Sequence, residues 1–217
     1  MGDVTVLAER RSWRLRPSQR RGAHGSIAFY FDPCCPFSYL AAERIERHFA
    51  AVRWIPVAAT ALQGEQPWAD PRVARLLRVL AERRASELGL PLVWPERFPP
   101  DGTAALRVAV HAARTGVGHA FALAASRLAF CGGFDLGDLE NVVEAGAAAG
   151  IDHHDTVRAA ADPGNDIPLA DSAYDLVTAG VTQLPAFKVG PRWFDGEPSF
   201  AQASAWARAP IAVRALP

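Results

Sequence analysis

Sulfur and lysine are scarce in this sequence. Three cysteines (Cys34, Cys35 and Cys131) and one methionine occur in 217 residues, and Lys188 is the sole lysine beside 22 arginines. An odd cysteine count with two of them adjacent is not the paired framework of a small secreted domain. A Cys34–Cys35 bond is covalently allowed, but the small ring it closes is strained. Net charge is zero, so the overall field gives no reason to expect nucleic acid or an anionic membrane as a partner. No segment holds about 18 uninterrupted apolar residues. The first 25 residues lack the continuous apolar run of an export signal. Together these absences predict a cytoplasmic protein. Internal repeats are lacking, and so is any Cys-x-x-Cys or His-x-x-x-His spacing of the kind that holds zinc. No metal site is expected, the His153-His154 pair notwithstanding.

Half the residues are hydrophobic, ample for a buried core at this length. Residues 1–25 carry Arg10, Arg11, Arg14, Arg16, Arg20 and Arg21 and read as a solvated basic extension. Folding signals begin at Ser26. The aromatic, β-branched run Ser26-Ile27-Ala28-Phe29-Tyr30-Phe31-Asp32 predicts a buried strand, which Pro33 stops. Apolar positions Phe37, Leu40, Ala41, Ile45 and Phe49 then recur at helical spacing, and Val52–Val57 predicts a second strand. Such a βαβ unit implies parallel pairing with a right-handed crossover. Asp70-Pro71 and Gly89 bracket a helix as cap, first position and stop. A proline-rich link follows, residues 90–100. Helices are then predicted from Thr103 to Gly116, Gly118 to Cys131, Asp135 to before Gly150, His153 to Ala161, and Pro168 to Gly180. Ala186–Val189 and Arg192–Phe194 predict a hairpin, and Ser199–Ala207 a closing helix. The fold class is therefore α/β, in the order βαβ, helices, ββα.

The chemistry centres on Cys35. It sits where the first strand gives way to the first helix, with Pro36 suited to the first helical position. Unpaired N–H groups and the positive dipole end at such a site favour a thiolate. They predict a Cys35 pKa lowered from about 8.5 towards 3.5–7.5. Ser38, one turn on, can donate a hydrogen bond to that sulfur. Cys34 is expected to be turned away by the strand-end geometry, and Cys131 to be a buried core residue. His48, His111 and His119 read as packed or solvated, and Trp54, Trp68, Trp94 and Trp193 as core or pocket lining.

Cys35-Pro36-Phe37-Ser38 after a strand, and Leu184-Pro185 before a strand pair, resemble the active-site and cis-proline loops of the thioredoxin superfamily. The helical block between the two halves is similar to that of the DsbA family. Residues Phe29 to Asp32 and Pro36 to Ala41, with Leu90-Pro91 and Arg97-Phe98-Pro99, are especially similar to the 2-hydroxychromene-2-carboxylate isomerase and kappa-class glutathione transferase branch. The resemblance covers about residues 26 to 207. It implies a thioredoxin-like fold over residues 26–58 and 165–217, with an all-helical subdomain inserted at 59–164. By this resemblance Cys35 matches the first Cys of the DsbA Cys-Pro-x-Cys, and also the Ser that meets the glutathione sulfur in the isomerase branch. Ser38 matches the resolving Cys. Pro185 matches the cis-proline, and Leu184 the residue whose backbone pairs with a bound thiol peptide. Gly196 and Glu197 fall where the transferase branch binds the γ-glutamyl end. The isomerase branch has Ser at Cys35, Asn near Asp101 and Arg near Pro198, and this chain departs from it at all three.

Three functions stand open on the sequence. In the first, Cys35 is the single nucleophile of a thiol-disulfide oxidoreductase, with no tightly bound cofactor. A low-molecular-weight thiol, glutathione or an equivalent, then resolves the mixed disulfide as co-substrate. In the second, the bound thiol attacks an aromatic electrophilic substrate, as in a thiol-dependent isomerase or transferase, with Pro36, Phe37, Leu184, Pro185, Gly196 and Glu197 binding substrate or thiol. In the third, the chain binds peptides along the Leu184-Pro185 edge without catalysis. The resemblance and the strand ends are compatible with a homodimer.

Overall fold

The computed structural model describes residues 27–63, 68 and 70–209. The basic extension expected at 1–25 lies outside the described residues. Strand β1, Ile27–Phe31, is buried at every position because it has neighbours on both edges. It pairs in parallel with β2, Val52–Pro56, and antiparallel with β3, Ala186–Val189. The hairpin partner β4, Arg192–Asp195, completes a four-stranded sheet of order β2-β1-β3-β4. Alternation along β1 divides the core: Ile27, Phe29 and Phe31 face one apolar cluster, Ala28 and Tyr30 the other. Phe29 stacks on Phe187 across the β1–β3 pair and meets Trp54 of β2 edge-on.

Helix α1, Pro36–His48, follows β1 directly, with Pro36 opening it and Tyr39, Leu40, Ala41, Ala42 and Ile45 buried. After β2 comes a short helix that the sequence did not announce, α2, Thr60–Gln63. Helix α3, Pro71–Leu88, has the expected punctuation. The Asp70 carboxylate accepts from the Arg72 N–H, and Gly89 takes the left-handed conformation at φ 65° that ends the helix. The inserted helices continue as α4, Thr103–Arg114, α5, Gly118–Phe130, α6, Leu139–Ala148, and α7, His153–Ala161. Helix α8, Asp166–Thr178, leads back to β3. Helix α9, Phe200–Arg208, closes the order.

One expected start moves. Helix α6 begins at Leu139, capped by Asp138, not at Asp135. The Asp135 side chain instead accepts the Gly137 N–H in a turn and pairs with Arg97, a local bond that competes with helix formation.

The larger apolar cluster joins Phe29 and Phe31 of the sheet to Val108 of α4, Phe121 and Phe130 of α5 and Val142 of α6. Sheet and inserted helices thus share a core, and that shared core sets the inserted block over the carboxyl end of β1.

Candidate functional site

Ligands of open α/β sheets gather beyond the carboxyl ends of the strands. Here that end of β1 is the turn Asp32-Pro33-Cys34-Cys35, closed by the Cys35 N–H donating to the Asp32 carbonyl at 3.0 Å. The Asp32 carboxylate is buried and points back into the fold. It accepts the Cys34 N–H at 2.8 Å and the Ala59 N–H at 2.9 Å, tying the turn to the segment after β2. Burial raises the pKa of this carboxyl. Ser38 is also buried, and its hydroxyl oxygen accepts the Asp32 N–H at 3.3 Å.

Cys35 holds the N-cap position of α1. Yet burial, followed by the facing Asp32 carboxylate, pushes its thiol up to about 11, against an ordinary 9.0. The backbone and hydroxyl donors of Ser38 and the backbone donor of Phe37 act the other way and lose. The expected lowering is therefore corrected: the helix start does favour the thiolate, but the sulfur is too poorly hydrated for that to prevail. Cys34 is likewise pushed well up, again chiefly by burial.

Two cavities flank this turn. One, of about 350 Å³, is lined by both Cys34 and Cys35, by Trp68, Phe98, Pro99 and Leu106, and by Asp32 and Asp101. Cys34 borders this cavity but packs against the apolar cluster on the opposite face of the sheet from the cluster at Cys35. Its sulfur lies against Gly102, so close that a Cβ there would sit 2.8 Å from it. The second cavity, of about 400 Å³, is bounded by Phe37 of α1, Arg83 and Arg84 of α3, and Gln183, Leu184 and Glu197. Leu184 precedes Pro185 through a cis peptide, and Cys35 packs against the apolar cluster that contains Leu184. A larger cavity of about 510 Å³ lies at the far end of α1, around Glu46, Arg53 and His119, and holds no nucleophile.

Glu197 is buried and ion-paired twice, with Arg44 of α1 and with Arg84 of α3 at 2.6 Å. Its two carboxylate oxygens are thereby engaged from within the fold. The preceding Gly196 has φ 74°, and its carbonyl accepts from the Ser199 hydroxyl and N–H. Cys131 is exposed rather than a core residue. It lies 3.2 Å from the Tyr39 hydroxyl, which donates to the Pro91 carbonyl, so the Cys131 S–H is left to donate to the phenol oxygen.

A family model, the DSBA-like thioredoxin domain, matches residues 26–205. The chain belongs to that family. Three solved structures illustrate the DSBA-like architecture. A 2-hydroxychromene-2-carboxylate isomerase is 19% identical with a TM-score of 0.67, covering 84% of this chain and 95% of its own. A probable DsbA oxidoreductase from Streptomyces coelicolor is 20% identical with a TM-score of 0.69, covering 86% and 92%. The cytosolic disulfide reductase DsbM from Pseudomonas aeruginosa, solved with GSH, is 21% identical with a TM-score of 0.60, covering 84% and 95%. At these identities the likeness is one of fold. A comparison with curated proteins finds no match.

Within this DSBA-like fold, the site residues read from the sequence divide between the two cavities. Cys35 borders the first, while Phe37, Leu184 and Glu197 border the second. Ser38 lies beneath the turn that separates them. Sequence reasoning missed Asp32, Arg44 and Arg84. An aspartate ending a fully apolar strand was a usable signal for Asp32, since a buried carboxylate must find donors. Nothing local marked the arginines among so many. Among the described residues, no helix is long and apolar enough to cross a membrane, and no group of three His, Cys, Asp or Glu is placed to hold a metal ion.

Proposed function

We propose that this DSBA-like protein is a thiol-disulfide exchange enzyme with a single working cysteine, Cys35, resolved by a low-molecular-weight thiol. The observation that carries the reading is the surroundings of Cys35. It occupies the N-cap of α1, packs against the cluster containing Leu184 of the cis Leu184–Pro185 loop, and has the Ser38 hydroxyl where a second sulfur would sit. Cys35 gives up its proton and attacks a substrate disulfide, forming a mixed disulfide and expelling one substrate thiolate. A thiolate from solution then attacks the substrate sulfur of that mixed disulfide, and Cys35 leaves, steadied by the Ser38 and Phe37 donors.

The raised Cys35 pKa bears on direction. Strong oxidants of this superfamily owe their potential to a stabilised thiolate in the reduced form. Burial denies Cys35 that stabilisation, which favours reduction or thiol transfer over disulfide donation. The disulfide reductase DsbM, solved with GSH, is consistent with this direction. The test is turnover of a small disulfide with glutathione, comparing wild type with Cys35→Ser. Ping-pong kinetics lost in the variant support the reading, and full activity of the variant would sink it.

A second reading is a thiol-dependent isomerase or transferase. It is favoured by the aromatic cavity beside Cys35 and by the fold shared with the 2-hydroxychromene-2-carboxylate isomerase. In that case Cys35→Ser keeps activity on an aromatic electrophile when thiol is supplied.

A further inference from the structure

The cavity that Cys35 shares with Cys34 has a composition unlike its neighbour's. Its apolar wall is aromatic: Trp68 meets Phe98 edge-on with ring centres 4.7 Å apart, and Pro99, Pro100 and Leu106 continue the surface. Its volume of about 350 Å³ is at the small end of ligand pockets, which run roughly 300–1,000 Å³, and suits a ligand built on one or two rings. The polar groups on its lining include the carboxylates of Asp32 and Asp101 and the hydroxyl-bearing Thr60 and Thr103. Asp101 is held as an anion. One of its oxygens accepts the Thr103 hydroxyl at 2.7 Å and the Thr103 N–H at 3.1 Å, and these bonds lower its pKa.

No Arg, Lys or His stands among the described lining residues, and residues 60–70 contain none in the sequence. The nearby arginines are committed elsewhere. Arg107 holds both oxygens of Asp166 at 2.8 and 2.7 Å, and Arg97 pairs with Asp135 at 2.7 Å. A substrate approaching Cys35 through this cavity therefore meets an aromatic slot with the Asp101 anion at its rim, attracted from a distance by Arg107 but ion-paired with no base among the described residues.

From this, and resting on the reading of Cys35 as the attacking sulfur, we infer that the cavity admits uncharged aromatic disulfides and rejects anionic ones, with Asp101 as the specificity-determining residue. Like charge at a rim acts on the encounter and the approach, and salt screens it. The aromatic wall acts on the ring, so the two selections are separable.

The test uses the full chain with Cys34→Ser and Cys131→Ser, so that Cys35 is the one thiol present. Stopped-flow rates are measured with 4,4′-dithiodipyridine, which is neutral, and with 5,5′-dithiobis(2-nitrobenzoate), which is a dianion. Each rate is divided by the rate of the same reagent with free glutathione. The normalised neutral-to-anionic ratio should exceed one by at least about tenfold at low salt, and should fall towards one in high salt and in Asp101→Asn. Trp68→Ala should lower the normalised rate for the neutral reagent. A ratio near one in the starting protein, or a ratio unmoved by Asp101→Asn, overturns the assignment to Asp101. If the folded protein reacts with neither reagent while the same chain in denaturant reacts with both, the reading of Cys35 as nucleophile fails, and this inference fails with it.

Discussion

The two cavities on either side of the Asp32–Cys35 turn are of similar size and opposite character. One carries thiols, aromatic rings and carboxylates, with no basic residue among its described lining residues. The other carries the Leu184 loop and four charges that pair with one another, Arg83, Arg84, Glu87 and Glu197. On the proposed reading, Cys35 borders the first and packs against the Leu184 cluster beside the second, so the two can serve different partners of one exchange reaction. On the proposed reading, the ion-paired cavity beside Leu184 suits a thiol peptide that pairs with the Leu184 backbone. The acidic aromatic cavity suits the other reactant.

The largest expected effect tests whether the turn between the cavities is catalytic at all. Cys35→Ser should lower disulfide turnover by roughly three orders of magnitude or more, whereas Cys34→Ser, on the same turn, should keep most of it. Equal losses in the two variants would erase the distinction drawn between the sulfurs. Next comes the ion-paired cavity. Glu197→Ala strands the mostly buried Arg44 guanidinium and should cost about 3–5 kcal/mol in urea unfolding. Adding Arg44→Leu should restore part of that, and a double variant no better than the single would show that the ion pair does not hold α3 to α1.

The third effect lies beneath both cavities. Ser38→Ala leaves the Asp32 N–H without its acceptor, which should cost about 1–3 kcal/mol. It should also move the Cys35 titration upward by removing a thiolate donor. The smallest effect is the pH profile. With a folded Cys35 pKa of about 11 against 9.0 unfolded, both states are protonated below pH 9 and this contribution to stability is complete there. It is lost as pH rises from 9 through 11. Iodoacetamide labelling of Cys35 should climb across the same window, with Asp32→Asn shifting the midpoint down. A labelling rate already at its plateau at pH 7 would reverse the electrostatic picture.

The sequence made the local features readable. Asp70-Pro71 and Gly89 bracket α3 where the cap, the first position and the left-handed stop require them. The buried run 27–31 could only be an interior strand. Pro36 marked the start of α1, and Cys35 with it. What stayed hidden depended on distance in the chain or on competition between forces. Arg44 and Glu197, 153 positions apart, carry no local sign of their pairing. Cys35 is legible at a helix start, but the sign of its pKa shift depends on how far the cluster containing Leu176 and Leu184 buries it, and no motif reports that. Cys131 is exposed for the same reason: exposure belongs to how a helix end packs, not to the residue type.

The central position of β1 has a consequence for biogenesis. Its partner β2 follows within one helix, but its other edge is covered only when β3 arrives, and Phe29 must wait for Phe187. On the ribosome the strand that ends at the reactive turn is therefore half-paired until the inserted helices have all been made. A nascent chain stalled after α8 would present an open, aromatic strand edge, the kind of surface that recruits chaperones or aggregates. The thiol at its end would meanwhile be deprived of the Leu184 loop. The enzyme should thus become competent only as its last strands emerge.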